Sequence, residues 1–102
     1  MRPIRLARLD KVRPALVLTR AAVRSHRQRI TVAPITSTVR GLATEVPVGR
    51  VNGLDHDSVV SCDNIQTIRT ELLGRQIGLL LAEQEAELVE AIRIAFDLDE
   101  AL

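Results

Sequence analysis

Short runs of apolar residues, some of them alternating with polar ones, recur between residues 4 and 81 and are separated by turn residues. Runs of about four to eight residues with this pattern are typical of β-strands. The pattern predicts strands at residues 4–9, 15–19, 30–36, 44–48, 58–62, 65–68 and 75–81. Because turn signals follow one another so closely, we expect these strands to form a small, strongly curved barrel.

Two of the strands carry residues that bear on their place in the sheet. The first strand, 4–9, has Arg5 and Arg8 among its apolar residues, which favours a position at an edge. The strand at 30–36 contains Pro34, which cannot donate a hydrogen bond to a neighbouring strand. We therefore expect this strand to have a bulge or to lie at an edge near that residue.

The connections between the strands contain turn and helix signals. Gly41 and the pair Asn52–Gly53 predict turns, and the polar, basic segment 21–28 predicts a loop or one helical turn. Residues 71–74 predict a short helix that ends at Gly74, since glycine commonly follows the last helical residue.

The end of the chain has a helical period instead. Leu88, Ile92, Ala95 and Phe96 recur at the spacing of one face of an amphipathic helix. The first turns carry acidic residues, which the helix dipole favours at that end: Glu83, Glu85 and Glu87. The predicted fold is therefore mainly β with α (α+β), a small barrel followed by a C-terminal helix in a single domain over residues 1–102.

Composition disfavours several classes of function. Phe96 is the single aromatic residue, which argues against nucleic-acid binding by base stacking on aromatic side chains. Cys62 is the single cysteine, so an internal disulfide is impossible, and its apolar surroundings predict a buried structural thiol. With only two histidines besides, we expect no zinc site. No apolar stretch is long enough for a membrane span and no signal peptide is recognisable, so a cytoplasmic location is expected.

The net charge of +1 conceals two halves of opposite sign. Residues 1–50 hold eleven basic residues against two acidic ones, whereas residues 51–102 hold three against eleven. A basic half indicates a phosphate-bearing or acidic partner, but the two halves can equally neutralise each other across one folded surface.

Three segments of the chain follow the strand motifs of a known family in order and spacing. Residues 13–18, Arg-Pro-Ala-Leu-Val-Leu, match a pattern RP-[AV]-[LV]-V-[LV], and residues 32–37 match V-x-P-[IL]-T. Residues 57–60 and 63–68 match the pair D-S-V and [DE]-[QN]-[IL]-[RQ]-[ST]-[IV]. With the final helix, these motifs cover residues 13–97 and resemble the MazF/PemK toxin family.

The resemblance implies an SH3-like barrel that forms a homodimer and acts as the toxin of a type II toxin–antitoxin system. Members cut single-stranded RNA at short sequences without a metal ion or cofactor, so the expected substrate is mRNA, tRNA or rRNA. In such a reaction the 2′-hydroxyl attacks the adjacent phosphate and leaves a 2′,3′-cyclic phosphate and a 5′-hydroxyl. The expected inhibitor is a cognate antitoxin with an acidic, disordered tail.

By resemblance, Arg13 and Thr36 are the catalytic pair. Arg13 begins a buried strand just before a proline, a rigid mounting for a guanidinium that stabilises the charge of the phosphorane. Thr36 offers a hydroxyl to another phosphate oxygen. The glutamate that members often carry before the RP strand has no counterpart here, so Asp10, the nearest acid, is the candidate general base.

Other polar residues are expected to contact RNA, and the first half of the chain is expected to form a basic groove around Arg13. The candidates for RNA contact are Ser37, Thr38, Arg40, Ser58, Asn64, Gln66, Arg20 and Arg24. Arg27 and Arg29 are expected to extend the groove.

Several alternatives remain open at this point. Ser37 or Thr38 could replace Thr36 as the phosphate ligand. His26 and His56 could exchange protons near neutral pH, but both lie in predicted loops and the family motif requires neither. The alternative function is a non-catalytic module on the same fold, either a CcdB-like gyrase poison or a degenerate toxin that sequesters antitoxin. The Arg13–Thr36 pair favours the nuclease.

Overall fold

The computed structural model describes residues 1–98, so residues 99–102 of the predicted single domain lie outside the described residues. Its strands and α-helix are β1 Arg2–Arg8, β2 Val12–Val17, β3 Arg29–Thr36, β4 Glu45–Val48, β5 Ser58–Ser61, β6 Gln66–Arg69, β7 Leu73–Leu80 and α1 Glu85–Ala95. Short 3₁₀ helices occupy many of the connections: Ala21–His26, Arg50–Asn52, Cys62–Asn64, Thr70–Leu72 and Ala82–Gln84. The expected α+β composition is confirmed.

The strands form one curled antiparallel sheet in the order β4–β5–β3–β2–β1–β7, with β6 also paired to β3. β3 changes its partner along its length, because residues 29–32 pair with β6 and residues 35–36 pair with β5. Pro34 lies in the gap between these two partners, so its missing N–H interrupts neither ladder. The prediction of a local edge at Pro34 is thus confirmed.

Apolar side chains form two clusters on opposite faces of the sheet. Successive residues of a strand point to opposite faces, so Leu16 enters one cluster while Ala15 and Val17 enter the other. The larger cluster includes Ile4, Leu16 and Leu80 from the sheet and Leu88 from α1. The smaller cluster consists of Ala7, Ala15, Val17, Ile30, Val32 and Ile68.

The C-terminal helix is confirmed, with one residue placed differently from the prediction. Leu88 and Ala91 are buried against the sheet, and Arg2 donates hydrogen bonds of 3.0–3.2 Å from Nε and Nη2 to the Glu85 carboxylate in the first turn. Phe96, predicted on the buried face, is 55% exposed because α1 ends at Ala95. None of the helices in residues 1–98 has the length and hydrophobicity needed to cross a lipid bilayer.

The edge position predicted for the first strand is wrong. β1 pairs with β2 on one side and with β7 on the other. β7 arrives from a distant part of the chain, which a local pattern does not reveal. Arg5 is accommodated inside the sheet because its side chain remains partly exposed and its Nε donates a 2.8 Å hydrogen bond to the carbonyl of Gly74.

Gly74 also falls in a different element from the predicted one. The expected helical turn is present at Thr70–Leu72, but β7 begins at Leu73 and includes Gly74. A Cβ at Gly74 would lie 3.4 Å from the Cβ and carbonyl oxygen of Leu6, which is ordinary van der Waals contact, so Gly74 is an ordinary position of the strand. The predicted turns at Gly41 and Asn52–Gly53 and the helical turn within 21–28 are confirmed.

Gly53 and Gly78 bring two backbone segments into direct contact. A Cβ on Gly53 would overlap the carbonyl of Ile77, and a Cβ on Gly78 would overlap the carbonyl of Asn52. Gly53 also has a φ of +89°, a conformation that favours glycine. The segment that follows Gly53 is therefore fixed against β7.

Replacing Gly53 by alanine tests this contact, with Gly41→Ala as the matched control. Gly41 has a φ of +74° but nothing within 4 Å of the Cβ position, so alanine there should cost only the backbone term, about 1–2 kcal/mol. Gly53→Ala should cost about 1–3 kcal/mol more, because the added methyl meets backbone that cannot move aside. Urea unfolding of both variants measures the difference. Equal losses of stability would contradict the close contact.

Candidate active site

The ladder between β2 and β3 brings the two predicted catalytic residues together. Ala15 is paired with Pro34 and Val17 with Val32 in an antiparallel register. Continuing this register by two residues places Arg13 opposite Thr36, on the face that carries the smaller apolar cluster. Both side chains are only partly exposed. The sheet therefore sets their separation.

Arg13 is held by a two-point ion pair. Its Nε donates to Asp10 Oδ1 at 3.0 Å and its Nη2 donates to Asp10 Oδ2 at 2.8 Å. This hydrogen bonding from Arg13 lowers the pKa of the Asp10 carboxyl below its ordinary value. The Arg13 side chain is 19% exposed and that of Asp10 is 70% exposed, so solvent and ligands reach the pair from the carboxylate side.

Thr36 is oriented by the turn that follows β3. Its Oγ1 accepts a 3.1 Å hydrogen bond from the backbone N–H of Thr38. A hydroxyl that accepts one hydrogen bond can still donate its own hydrogen. Thr36 can thus act as a donor toward an anion bound beside Arg13.

Two grooves meet at Arg13 and Thr36. The first, which we name the cationic groove, has a volume of about 580 Å³. Besides Arg13 and Thr36, its polar lining consists of Lys11, Ser37, Thr38, Asp55, His56, Ser58 and Arg75. The second, the amide groove, has a volume of about 410 Å³ and is lined by Leu9, Asp10, Arg13, Pro34, Thr36, Ser61, Asn64 and Gln66.

The two grooves differ in charge. Lys11, Arg13 and Arg75 outnumber Asp55 in the cationic groove, which suits the phosphates of a polyanion. In the amide groove, Arg13 is matched by Asp10, and the remaining polar groups are neutral. Asn64 Nδ2 donates to Ser61 Oγ at 2.8 Å, while the Gln66 side chain is exposed. Neutral amides of this kind suit hydrogen bonding to base edges.

The structure brings most of the predicted site residues into one of these two grooves. Ser37 and Thr38 are exposed in the cationic groove beside Thr36. Ser58 also lines it but is mostly buried, and its Oγ donates a 3.1 Å hydrogen bond to the carbonyl of His56. Asp10, Asn64 and Gln66 lie in the amide groove.

The predicted basic groove around Arg13 is not formed by the arginines expected to feed it. Arg20 and Arg24 lie beyond the other end of β2, in a surface depression near Arg2 and Glu85, and Arg24 Nε donates to the carbonyl of Thr19 at 2.8 Å. Arg27 and Arg29 line a separate depression with Arg69. Arg40 lines neither groove, and its backbone N–H donates to the Glu45 carboxylate.

Two basic residues of the cationic groove were missed from the sequence. Lys11 lies between Asp10 and Arg13 along the chain, and that proximity was the signal that could have identified it. Arg75 comes from β7, and no local pattern connects it with Arg13. Of the two histidines, His56 lies in the cationic groove. His26 ends the Ala21–His26 helix and lines neither groove.

The lone cysteine is structural, as the sequence predicted. Cys62 is 1% exposed within the larger apolar cluster. Burial raises the pKa of its thiol to about 11, so it is protonated at neutral pH and is a poor nucleophile. Within residues 1–98, no group of three or more His, Cys, Asp or Glu side chains is arranged to hold a metal ion.

Comparison with known proteins gives consistent matches over nearly the whole chain. The family described as PemK-like, MazF-like toxin of type II toxin–antitoxin system matches residues 3–96. Endoribonuclease MazF3 of Mycobacterium tuberculosis is 69% identical over 99 residues, which cover 97% of this chain and 96% of that protein. The solved Mycobacterium tuberculosis toxin MazF-mt6 superposes with a TM-score of 0.94 at 68% identity, covering 95% of this chain and 98% of that one. MazE–MazF from Deinococcus radiodurans gives a TM-score of 0.75 at 25% identity over 93% of this chain and 94% of that one.

The ion pair between Asp10 and Arg13 can be checked by its effect on titration. In Arg13→Ala the pKa of Asp10 should rise toward the ordinary aspartate value, because the hydrogen bonds that favour the carboxylate are lost. Carbon-detected NMR of the side-chain carboxyl measures this change. Glu90, whose pKa is lowered by Arg93, is the internal control and should not change. An unaltered Asp10 titration in the variant would show that the pair does not form.

Proposed function

Because this chain belongs to the PemK-like, MazF-like toxins of type II toxin–antitoxin systems, we propose that it cleaves single-stranded RNA without a metal ion, at the point where its two grooves meet. Its enzymatic class is that of an endoribonuclease, the name carried by its 69% identical relative. The observation that carries the proposed chemistry is that Arg13 and Thr36 line both grooves. The relatives compared above give no support to the non-catalytic alternative.

The proposed reaction is an intramolecular transfer within the RNA. The 2′-oxygen of one nucleotide forms a bond to the adjacent phosphorus, and the bond from phosphorus to the 5′-oxygen of the next nucleotide breaks. Negative charge accumulates on the non-bridging oxygens of the phosphorane. The Arg13 guanidinium donates two parallel hydrogen bonds to these oxygens and Thr36 donates a third. Because the sheet holds both residues beside the phosphate, the reorganisation needed is confined to the exchange of partners by the Arg13 guanidinium.

Asp10 is the proposed general base. An incoming phosphate competes with its carboxylate for the Arg13 guanidinium, since both anions suit the same two-point hydrogen bonding. Arg13 then turns from Asp10 to the phosphate. The released carboxylate is ionised at neutral pH, as an ordinary aspartate is, and it lies in the amide groove beside Arg13 and Thr36, where we place the 2′-hydroxyl.

The grooves suggest a division of the RNA contacts. Lys11 and Arg75 bind backbone phosphates in the cationic groove, with the hydroxyls of Ser37 and Thr38 as further donors. Asn64 and Gln66 bind base edges in the amide groove and contribute to the choice of sequence. The Ser58 hydroxyl already donates to a backbone carbonyl, so we assign it to the shape of the groove.

The proposed partners follow from the same family membership. An antitoxin with an acidic tail would compete with RNA for the cationic groove, since both present negative charge. A homodimer is proposed because a chain of this size has a modest core, and exposed apolar side chains such as Val39 and Val51 are available for burial. We place the activity in the cytoplasm, where mRNA, tRNA and rRNA are found.

The cleavage chemistry is tested with a long single-stranded RNA in the presence of EDTA. Cleavage should proceed and leave a 2′,3′-cyclic phosphate, or its 3′-phosphate hydrolysis product, with a 5′-hydroxyl on the other fragment. A substrate with 2′-deoxyribose at the scissile position should resist, because the attacking oxygen is missing. End analysis by mass spectrometry distinguishes the products. Cleavage of the deoxy substrate, or a 5′-phosphate product, would rule out the mechanism.

The catalytic pair is tested by substitution. Arg13→Ala should lower the cleavage rate about 10²–10³-fold, the loss seen when one charge-stabilising donor is removed, and Thr36→Ala should have a similar or slightly smaller effect. Arg20→Ala is the matched control, since it removes an arginine that lies outside both grooves, and should retain a rate near that of the unsubstituted protein. A normal rate for Arg13→Ala would show that the site is elsewhere.

A further inference from the structure

The proposed cleavage places a geometric demand on the site. In a displacement at phosphorus, the attacking and leaving oxygens lie roughly in line, on opposite sides of the phosphorus atom. Among the described residues, only Arg13 and Thr36 line both grooves, so they form a ridge between them. A phosphate held on this ridge directs one reacting oxygen toward each groove. The group that removes the proton of the 2′-hydroxyl and the group that protonates the departing 5′-oxygen must then lie on opposite sides of the phosphorus.

Each groove contains a group suited to one of these transfers. Asp10, a carboxylate that can accept a proton, lies in the amide groove and is absent from the lining of the cationic groove. His56 lies in the cationic groove and is absent from the lining of the amide groove. Base and acid candidates are therefore separated by the Arg13–Thr36 ridge, as in-line attack requires.

His56 is the side chain of the cationic groove whose chemistry best suits an acid near neutral pH. An efficient general acid loses its proton readily at the working pH, which imidazole does and ammonium and guanidinium groups do not. We therefore assign Lys11 and Arg75 to binding the phosphates of the RNA. The charged groups around the imidazole are Asp55 and Asp57 from its own segment, Lys11 and Arg13 from the start of β2 and its preceding turn, and Arg75 from β7.

The segment that carries His56 is held at both ends. On one side, the backbone of Gly53 rests against that of Gly78. Asn52, which is 1% exposed, donates from Nδ2 to the carbonyl of Leu79 at 3.0 Å and to Gln84 Oε1 at 2.6 Å. On the other side, Ser58 Oγ donates to the carbonyl of His56 itself. A short segment fixed in this way presents its side chain from a defined position.

We propose that His56 is the general acid of the reaction and protonates the departing 5′-oxygen from the cationic groove. The inference rests on the proposed RNA cleavage and adds the orientation of the substrate. As the 2′-oxygen bonds to phosphorus, its proton passes to the Asp10 carboxylate. As the bond from phosphorus to the 5′-oxygen breaks, that oxygen takes a proton from the His56 imidazolium. The nucleotide 3′ to the cleavage point consequently lies in the cationic groove, and the nucleotide that bears the attacking hydroxyl lies in the amide groove.

The test uses two RNA substrates that differ in one atom, with oxygen or sulfur at the 5′-bridging position of the scissile phosphate. A thiolate leaves without being protonated, so the sulfur substrate does not need a general acid. His56→Ala should slow cleavage of the oxygen substrate about 10²–10⁴-fold, the usual contribution of general acid catalysis, and should cut the sulfur substrate at nearly the unsubstituted rate. Asp10→Asn should slow both substrates, because a base is needed in either case.

His26→Ala is the matched control, since it removes the other imidazole from outside both grooves and should cut both substrates normally. The rate of the unsubstituted protein on the oxygen substrate should fall as pH rises and the acid loses its proton, and this fall should be absent in His56→Ala. In Lys11→Ala the rate should still fall as pH rises. Equal loss on both substrates in His56→Ala, or no loss on either, would overturn the assignment. Failure of the unsubstituted protein to cut either substrate in EDTA would instead overturn the proposed function itself.

Discussion

The ladder between β2 and β3 determines where the candidate site is formed, because its register, continued two residues beyond the Ala15–Pro34 pair, sets Arg13 opposite Thr36. Its register is enforced by the two apolar clusters. Ala15 and Val17 enter the smaller cluster, whereas Leu16 enters the larger one beneath α1. A slip of one residue would exchange these faces and move Leu16 into the smaller cluster and Ala15 and Val17 into the larger one. The arrangement of two partly exposed polar groups is thus maintained by the burial of apolar residues in the two clusters.

Two anions compete for the guanidinium of Arg13. In the free protein it binds the Asp10 carboxylate with two hydrogen bonds, and in the proposed reaction it binds the scissile phosphate in the same way. Substrate binding and release of the base therefore become a single exchange of partners. This coupling keeps Asp10 paired until a phosphate is present. Through this exchange, Asp10 is held in place by Arg13 in the free protein and becomes available as the proposed base when a phosphate binds.

The parts of the structure that were predictable from sequence are those with a local cause. Strand periodicity, the turns at Gly41 and Gly53 and the helix around Leu88 each follow from neighbouring residues. The central position of β1 depends on β7, a distant strand, and was predicted wrongly.

In the candidate site, too, the residues within local motifs were predictable and those brought together by the fold were not. Arg13 and Thr36 were predicted as a pair through the motifs that the chain shares with its family, and the structure brings them to the same grooves. The arginines of the first half were expected to gather around them, but a count of charges does not say which face each side chain occupies. Arg20 and Arg24 lie beyond the far end of β2, while Arg75 reaches the groove from β7. The meeting of the grooves at one ridge is a property of the folded sheet alone.

The contact between Gly53 and Gly78 has a consequence for how such a toxin is lost from a population. Neither position has room for even a methyl group, because each faces the backbone of the other segment. Every missense change in either codon therefore introduces an atom where the fold has no space. Cells under pressure to silence the toxin have an inactivating target in these two codons, although neither glycine takes part in the chemistry. Lineages that escape would carry changes there as readily as at Arg13, the proposed catalytic arginine.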